Sequence, residues 1–268
     1  MRRFIEFLIL ITVIISCAQK ERTNPYDPLS EDFMSFKLNS NKEIVYDNRM
    51  LCLFHFNTAT SIIYSDSHTE SEYYISISNC DFTNGLISKG ILFNKTNSKC
   101  QIINKHGNFL KIDRVANSYI ISFWIKLLNT VRHQYMFVMN GDNSNLGLSI
   151  GITNNKIEVA YANFLNPFYS TKTISNSQWY LITCIVDNIN RELKLYINGE
   201  LDITIWKDTT YGNFIPANEY GSTQFFLGKN NSYNTDKYLS GIIDEFCILV
   251  NTLLFESQLR AYYEHVSE

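Results

Sequence analysis

The segment at residues 147–151, with the sequence GLSIG, satisfies the GxSxG pattern of serine hydrolases. In α/β-hydrolases this motif places a nucleophilic serine on a sharp turn between a strand and a helix. Here the motif lies inside an alternating apolar segment (146–152), and a second strand-like segment (156–162) follows it. The sequence around Ser149 therefore predicts a β-strand, and we expect no nucleophile at this position.

Two segments combine aromatic rings with amide, hydroxyl and carboxylate groups, which is the mixture that sugar binding uses. YANFLNPFYST occupies residues 161–171, and WKDTTYGNFIPANEYGS occupies residues 206–222. Loops carry ligand contacts more often than the framework does, although aromatic rings in loops also pack locally over the edge of a sheet. The candidate ligand-binding residues are Tyr161, Phe168, Tyr169, Trp206, Tyr211 and Tyr220.

Composition limits the classes of partner and of fold. The chain of 268 residues has a net charge of -3 and contains no block of basic residues. Because neutralising phosphates requires clustered Lys and Arg, we expect no nucleic acid partner. The aromatic content of 14% suits strands and a sheet core.

The N-terminus has the features of an export signal. Arg2 and Arg3 precede an apolar run over residues 7–15, which is shorter than the roughly 20 residues of a transmembrane helix. The residues that end this run, IISC at 14–17, resemble a bacterial lipobox, in which the cysteine receives the lipid. We therefore predict a lipoprotein signal peptide over residues 1–17 and lipidation of Cys17. An ordinary signal peptide with an accidental cysteine is the alternative.

The composition of the segment after the signal peptide predicts a flexible spacer over residues 18–50. The stretch AQKERTNPYDPLSEDFMS mixes charges, two prolines and few apolar side chains, so it cannot bury enough surface to fold alone. Stable anchoring requires more than one acyl chain, which a lipidated cysteine would supply. The expected location is the bacterial cell envelope, at the outer membrane or the cell surface, with the lipid anchor contacting the membrane.

The cysteines suggest one disulfide and no zinc site. Five of the six cysteines remain if Cys17 is lipidated, and an odd number cannot pair completely within one chain. Cys80 and Cys100 flank a stretch that contains Gly and Asn, and they are the candidates for a bridge. No CxxC spacing occurs, which argues against a structural zinc site. The pairing stays open among Cys52, Cys80, Cys100, Cys184 and Cys247.

From residue 51 onward the apolar pattern is typical of β-strands. LCLFHFN (51–57) is the first, residues 58–88 resemble an irregular region, and strands then recur about every dozen residues. Residues 178–206 predict a three-stranded meander, in which Asn198-Gly199 favours a type I′ turn. Residues 255–266 predict a short terminal helix. The pattern indicates an antiparallel sandwich or jelly roll over residues 51–268, a length that suffices for one large all-β domain or two small ones.

Five segments share their order and spacing with a known family. They are Ser122-Phe123-Trp124-Ile125-Lys126, Trp179 before a strand that ends in Asp187, Leu195-Tyr196-Ile197-Asn198-Gly199, Leu227-Gly228, and Gly241-Ile242-Ile243-Asp244-Glu245-Phe246. These segments resemble the laminin G-like, concanavalin A-like lectin/glucanase superfamily over about residues 51–265. The resemblance implies an all-β, antiparallel two-sheet jelly roll with one concave face and a short C-terminal helix.

The resemblance also raises the question of catalysis. Glycosidases of this superfamily carry Glu, Asp and Glu at the first, third and sixth positions of one strand. Glu200 and Asp202 match the first and third positions, but Ile205 occupies the sixth position, where the motif has Glu. Because glycoside hydrolysis needs two carboxyl groups, we predict a binding module and not an enzyme. A glycosidase with a nonstandard set of carboxylates is an alternative.

Asp244 has two interpretations. The resemblance implies that an Asp on the final strand helps to hold a structural calcium ion, which hard oxygen ligands suit. Asp244 is therefore a candidate metal ligand and Ca²⁺ a candidate cofactor. The other interpretation is that Asp244 hydrogen-bonds or caps a neighbouring strand.

Together these features predict a membrane-anchored lipoprotein with a lectin-like domain that binds a glycan or a glycosylated surface. A protein-binding envelope lipoprotein is a further alternative, because one fold hosts many functions.

Overall fold

The computed structural model describes residues 36–66, 73–104, 118–140, 146–160, 167–206, 224–229 and 237–268. The predicted signal peptide, Cys17 and the first part of the predicted spacer lie outside these ranges. The described part of the chain contains no helix with the length and apolar character required to span a membrane.

The described residues form sixteen strands and one helix. In chain order they are β1 (Met50–Phe54), β2 (Ile62–Tyr64), β3 (Tyr73–Ser78), β4 (Asp81–Asn84), β5 (Lys89–Phe93), β6 (Lys99–Asn104), β7 (Ser118–Leu127), β8 (Gln134–Asn140), β9 (Leu146–Thr153), β10 (Lys156–Ala160), β11 (Phe168–Tyr169), β12 (Trp179–Asp187), β13 (Glu192–Ile197), β14 (Glu200–Trp206), β15 (Gln224–Leu227), β16 (Gly241–Val250) and α1 (Glu256–Ser267).

The strands form two antiparallel sheets of eight strands each. The first sheet has the order β14-β13-β12-β7-β16-β5-β4, with β1 also paired to β16. The second sheet has the order β11-β10-β9-β8-β15-β6-β3-β2. The predicted all-β fold, with two antiparallel sheets and a short C-terminal helix, is therefore confirmed. Ser149 lies within strand β9, as the alternating pattern predicts.

The main core lies between the two sheets and is rich in phenylalanine. The ring of Phe246 on β16 lies 6.5 Å from Phe54, 6.1 Å from Phe123 and 5.8 Å from Phe137. Phe54, Phe123 and Phe246 come from the first sheet and Phe137 from the second. Aromatic contacts across the interface thus help to hold the sheets together.

A second core covers the outer face of the first sheet. Trp124 on β7 donates a hydrogen bond from its indole Nε1 to the Tyr262 hydroxyl at 2.9 Å. The ring of Phe36 lies 4.8 Å from that of Tyr262, so helix α1 and the start of the described chain pack together. Strand β7 is nearly continuously buried because it is covered on both faces.

The prediction of a flexible spacer over residues 18–50 is wrong for residues 36–50. Phe36 is 0% exposed and Ile44 is also buried, while Leu38 and Ile44 form an isolated antiparallel bridge. Residues 36–50 therefore pack on the sandwich. The polar composition obscured this packing, because its few apolar side chains contact residues that are distant in the sequence.

The composition of residues 58–88 suggested an irregular region, but the described residues of this region form strands. It contains β2, β3 and β4, of which β2 and β4 have only three and four residues. The meander of β12, β13 and β14 is confirmed, and both turn residues have positive φ, with 58° at Asn198 and 76° at Gly199. A Cβ atom at Gly199 would lie 2.5 Å from the Arg260 backbone, so the turn and helix α1 require glycine here.

Candidate functional site

The predicted aromatic residues lie only partly within the described chain. Tyr161, Tyr211 and Tyr220 are outside it. Trp206 is the last residue of β14, but its side chain is not among those described. Phe168 and Tyr169 form β11 at one edge of the second sheet.

Phe168 and Tyr169 have different surroundings. Phe168 packs against the main core, so its ring is not a free ligand platform. Tyr169 is 48% exposed, and its hydroxyl hydrogen-bonds the Glu158 carboxylate of neighbouring β10. Of the predicted residues whose side chains are described, Tyr169 is thus the one that offers an exposed ring to a ligand.

The carboxylates that partly match the glycosidase motif connect structural elements. Glu200 forms ion pairs with Lys172 and, at 2.8 Å, with Arg260 of α1. Hydrogen bonding to Lys172 and its positive charge lower the pKa of Glu200. Asp202 accepts hydrogen bonds from the Thr171 backbone N–H at 2.8 Å, its hydroxyl at 2.7 Å and the Lys172 N–H at 2.9 Å. These contacts join β14 to the residues after β11. A general acid would need a raised pKa, whereas the pKa of Glu200 is lowered.

Asp244 is buried among backbone N–H donors. Its Oδ2 accepts hydrogen bonds from the N–H groups of Leu86 and Ile87, each at 2.9 Å, and its Oδ1 accepts one from Glu245 at 2.9 Å. A Cβ at Gly85 would approach Oδ2 to 2.4 Å, so the turn before β5 is shaped around this carboxyl group. Burial, together with the charge of Glu245, raises the pKa of Asp244 to about 8.

These surroundings do not fit a calcium ion at Asp244. Calcium takes six to eight oxygen ligands, whereas both oxygens of this carboxyl group face N–H donors. Within the described ranges, no group of three or more His, Cys, Asp or Glu residues is arranged to hold a metal. The contacts are those of the second interpretation, in which Asp244 holds a neighbouring backbone segment.

The described residues form a cavity of about 840 Å³. Its walls are residues 39 and 43–46, residues 55–58 after β1, and residues 62–66 on and after β2. Strand β1 belongs to the first sheet, and β2 forms an edge of the second sheet. The cavity therefore lies where the chain passes from one sheet to the other, and the packed residues 39 and 43–46 supply its third wall. We call it the N-terminal cavity.

A histidine held between two carboxylates forms one wall of the N-terminal cavity. His55 Nδ1 lies 2.6 Å from Oε1 of Glu245, and Nε2 lies 3.0 Å from Oδ2 of Asp66. Although burial disfavours the charged ring, hydrogen bonds to Asp66 and Glu245 raise the pKa of His55 to about 10. The imidazole is therefore protonated at neutral pH. The other oxygen of Glu245 accepts the Ile44 N–H at 3.0 Å, which ties residues 39–46 to β16.

A third carboxylate, Glu43, is oriented by neutral amides. Its Oε1 accepts from Asn57 Nδ2 at 2.7 Å, and its Oε2 accepts from Asn39 Nδ2 at 2.6 Å. Each carboxylate oxygen has two lone pairs, so both retain capacity for a further donor. Both of these partners are uncharged amides.

The remaining wall is apolar and exposed. Ile62 and Tyr64 point outward from β2 and are 45% and 61% exposed, whereas Ile63 between them is buried in the core. The Tyr64 ring lies 6.0 Å from that of Tyr74 on β3, which limits its orientation. The cavity thus combines an aromatic face with fixed polar groups.

Sequence reasoning missed the N-terminal cavity. Two signals point to it: the polar His55 next to an apolar strand, and the period-two pattern of Ile62, Ile63 and Tyr64. Neither identifies the partners, because His55 and Glu245 are 190 residues apart in the chain.

Solved structures with this architecture come from several kinds of protein. Domain 4 of an extracellular arabinanase from Geobacillus stearothermophilus, in complex with arabinotriose, has a TM-score of 0.58 and 19% identity over 80% of this chain and 98% of its own. The binding domain of botulinum neurotoxin DC, in complex with rat synaptotagmin II, has a TM-score of 0.60 and 16% identity over 82% of this chain and 52% of its own. A sialidase of Trypanosoma rangeli has a TM-score of 0.60 and 11% identity over 82% of this chain and 33% of its own.

The chain therefore spans about half of the toxin chain and a third of the sialidase chain. At sequence identities of 11–19%, the similarity to these structures shows that the chain shares their fold and shows no more than that. No curated protein matches the sequence. A family model matches residues 104–254, and the chain belongs to the concanavalin A-like lectin/glucanases superfamily.

Proposed function

We propose that the protein is a membrane-anchored lipoprotein whose domain binds a glycan, without catalysis, in the N-terminal cavity. One observation carries the proposal: oriented carboxylates at Glu43 and Asp66 face the same cavity as the exposed ring of Tyr64. Sugars present hydroxyl donors at their rim and apolar C–H faces on their rings. The cavity offers acceptors for the first and an aromatic surface for the second.

The size and rigidity of the cavity suit a small saccharide unit. Its volume of about 840 Å³ falls within the range of roughly 300–1,000 Å³ that small-ligand sites occupy. Asn39 and Asn57 fix Glu43, and His55 contacts Asp66, so both acceptors are oriented before a ligand arrives. Such preorganisation reduces the entropy lost on binding.

The arrangement of the carboxylates favours binding over hydrolysis. Glycoside hydrolysis requires one carboxyl group as general acid and a second as base or nucleophile. Glu245 is buried behind His55 and the Ile44 N–H, which leaves it no direct access to a sugar. The lowered pKa of Glu200 does not suit a general acid, and ion pairs with Lys172 and Arg260 engage both of its carboxylate oxygens.

The comparisons support this proposal at the level of the fold. The arabinanase domain, which this chain matches over nearly its whole length, was solved with arabinotriose. The family to which the chain belongs includes lectins and glucanases. The glycan ligand and the N-terminal cavity as its site are our inferences from the contacts described above.

Substitutions in the N-terminal cavity should weaken glycan binding. Ligands are first identified by screening the unlipidated chain from residue 18 on a broad glycan array that includes arabino-oligosaccharides. For a ligand so found, Tyr64→Ala and Glu43→Gln should each raise Kd about tenfold, because each removes one direct contact. Isothermal titration calorimetry measures the change.

Tyr169→Ala is the matched control, since Tyr169 is an exposed tyrosine at the opposite edge of the same sheet. It should leave Kd unchanged. If Tyr169→Ala abolished binding while Tyr64→Ala did not, the site would lie near the predicted aromatic segments. A blank array would favour a protein partner.

Lipidation of Cys17 is tested separately. Cys17→Ala should abolish incorporation of a labelled fatty acid and move the protein from the membrane fraction to the soluble fraction, because the substitution removes the acylated sulfur. Cys80→Ala, which alters a cysteine of the folded domain, should retain both the label and the membrane fraction. Unchanged fractionation of Cys17→Ala would contradict the anchor.

A further inference from the structure

Two thiols lie close together where the chain crosses from one sheet to the other. Cys80 is in the two-residue connection between β3 of the second sheet and β4 of the first sheet. Cys100 is on β6, paired with Ile77 of β3. The two Sγ atoms are 4.0 Å apart, and both thiols are free. We propose that Cys80 and Cys100 are a disulfide-forming pair, which on oxidation cross-links this connection to β6.

Exposure distinguishes this pair from the other thiols. Cys80 is partly exposed, whereas Cys52, Cys184 and Cys247 are buried. Cys52 and Cys247 occupy neighbouring strands β1 and β16, but Cys52 faces the main core and Cys247 the second core. An oxidant can therefore reach Cys80 first, and Cys100 is the thiol beside it.

The local environment also favours Cys80 as the thiol that reacts first. A hydrogen bond with the Cys100 thiol lowers the pKa of Cys80, although partial burial opposes this shift. Burial raises the pKa of Cys100, so it remains a thiol until Cys80 has reacted. Cys80 is therefore the first nucleophile and Cys100 the resolving group.

Thiol–disulfide exchange with a small-molecule disulfide supplies a balanced reaction. The Cys80 thiolate attacks one sulfur of the oxidant, forms a mixed disulfide and releases one small thiolate, which takes up a proton. Cys100 then loses its proton to solvent, attacks the Cys80 sulfur and releases the second small thiolate, which is protonated in turn. Two protein thiols are oxidised and one small disulfide is reduced to two thiols.

Closing the bridge requires a small movement. The sulfurs must approach from 4.0 Å to about 2.0 Å, the length of a disulfide bond. Cys80 lies in a connection, outside any strand, so its side chain can reorient without breaking a ladder hydrogen bond. The cysteines are 20 residues apart, and a bridge of this loop length should raise Tm by about 5–10 °C.

The full chain is incubated with oxidised glutathione or with dithiothreitol. We expect non-reducing peptide mass spectrometry of the oxidised protein to find a Cys80–Cys100 cross-link, and alkylation after denaturation to find two fewer free thiols. Tm should be higher in the oxidised sample. Cys80→Ser should abolish the cross-link and the difference in Tm, and it should fold because Cys80 is partly exposed.

Cys184→Ala is the matched control, because it removes a thiol of the same domain that has no place in the reaction. It should keep the cross-link and the rise in Tm. The proposal is overturned if oxidation leaves Cys80 and Cys100 as free thiols, stops at a glutathione adduct on Cys80, or links a different pair.

Discussion

Replacing His55 with alanine should lower the free energy of unfolding by about 3–5 kcal/mol at pH 7. The substitution leaves the buried Glu245 carboxylate without the imidazolium that lies 2.6 Å from it. An uncompensated buried charge is strongly destabilising, whereas an intact buried ion pair contributes little net free energy to stability. Urea unfolding, followed by tryptophan fluorescence, measures the difference.

Asp66→Ala provides the control for this prediction, because Asp66 contacts the same imidazole from the solvent side. Its side chain is 54% exposed, so its removal should cost less than about 1 kcal/mol. A loss of less than about 1 kcal/mol for His55→Ala as well would contradict the prediction, because the buried Glu245 side chain would then not need its contact with His55.

The same pair should make stability depend on pH. The pKa of His55 rises from 6.5 to about 10 on folding, so the folded protein binds a proton more tightly than the unfolded chain does. The resulting stability is fully present below pH 6.5 and is lost as the pH rises towards 10. The raised pKa of Asp244, about 8 against 3.8, likewise makes stability fall as the pH rises from 3.8 to 8. Above pH 8 the fall in the free energy of unfolding should come from His55, and His55→Ala should abolish it.

Tyr262→Ala should also lower the free energy of unfolding by about 3–5 kcal/mol. The Tyr262 ring fills the second core between Phe36 and Trp124, at 4.8 Å and 6.0 Å. Its loss leaves a cavity and deprives the indole Nε1 of Trp124 of its acceptor. Thermal and urea unfolding measure the loss.

Tyr262→Phe separates the two contributions. It keeps the ring but leaves the Trp124 N–H unsatisfied, which should cost about 1–3 kcal/mol. Equal losses for the two substitutions would mean that the hydrogen bond, and not packing of α1, carries the effect. Near-zero losses for both would show that helix α1 and Phe36 add little to stability.

The meander at 178–206 was predictable because its signals are local. Alternating apolar residues define each strand, and Asn198-Gly199 defines the turn with its positive φ angles. The region at 58–88 was not predictable in this way. Strand β3 pairs with β6, from beyond this region, and β2 has only three residues, so period-two patterns are short and the stabilising pairs are non-local.

The candidate site shows the same division. The spacing of Glu200 and Asp202 partly matches the glycosidase motif. It does not reveal that Glu200 pairs with Lys172 and Arg260, or that Asp202 accepts a hydrogen bond from Thr171. Conversely, no spacing motif joins His55 to Glu245, which meet only when β1 pairs with β16. A site whose side chains come from strands that are distant in the sequence can therefore be recognised only once the pairing of those strands is known.

Strand β16 is the last of the described strands in chain order, yet it lies in the middle of the first sheet and pairs with β1, β5 and β7. Before residues 241–250 have been synthesised, β1 has no partner, and the β4–β5 pair is separate from β7 and the meander. Pairing over such long sequence distances is slow. The first sheet of the nascent chain therefore remains incomplete until residues 241–250 have emerged from the ribosome.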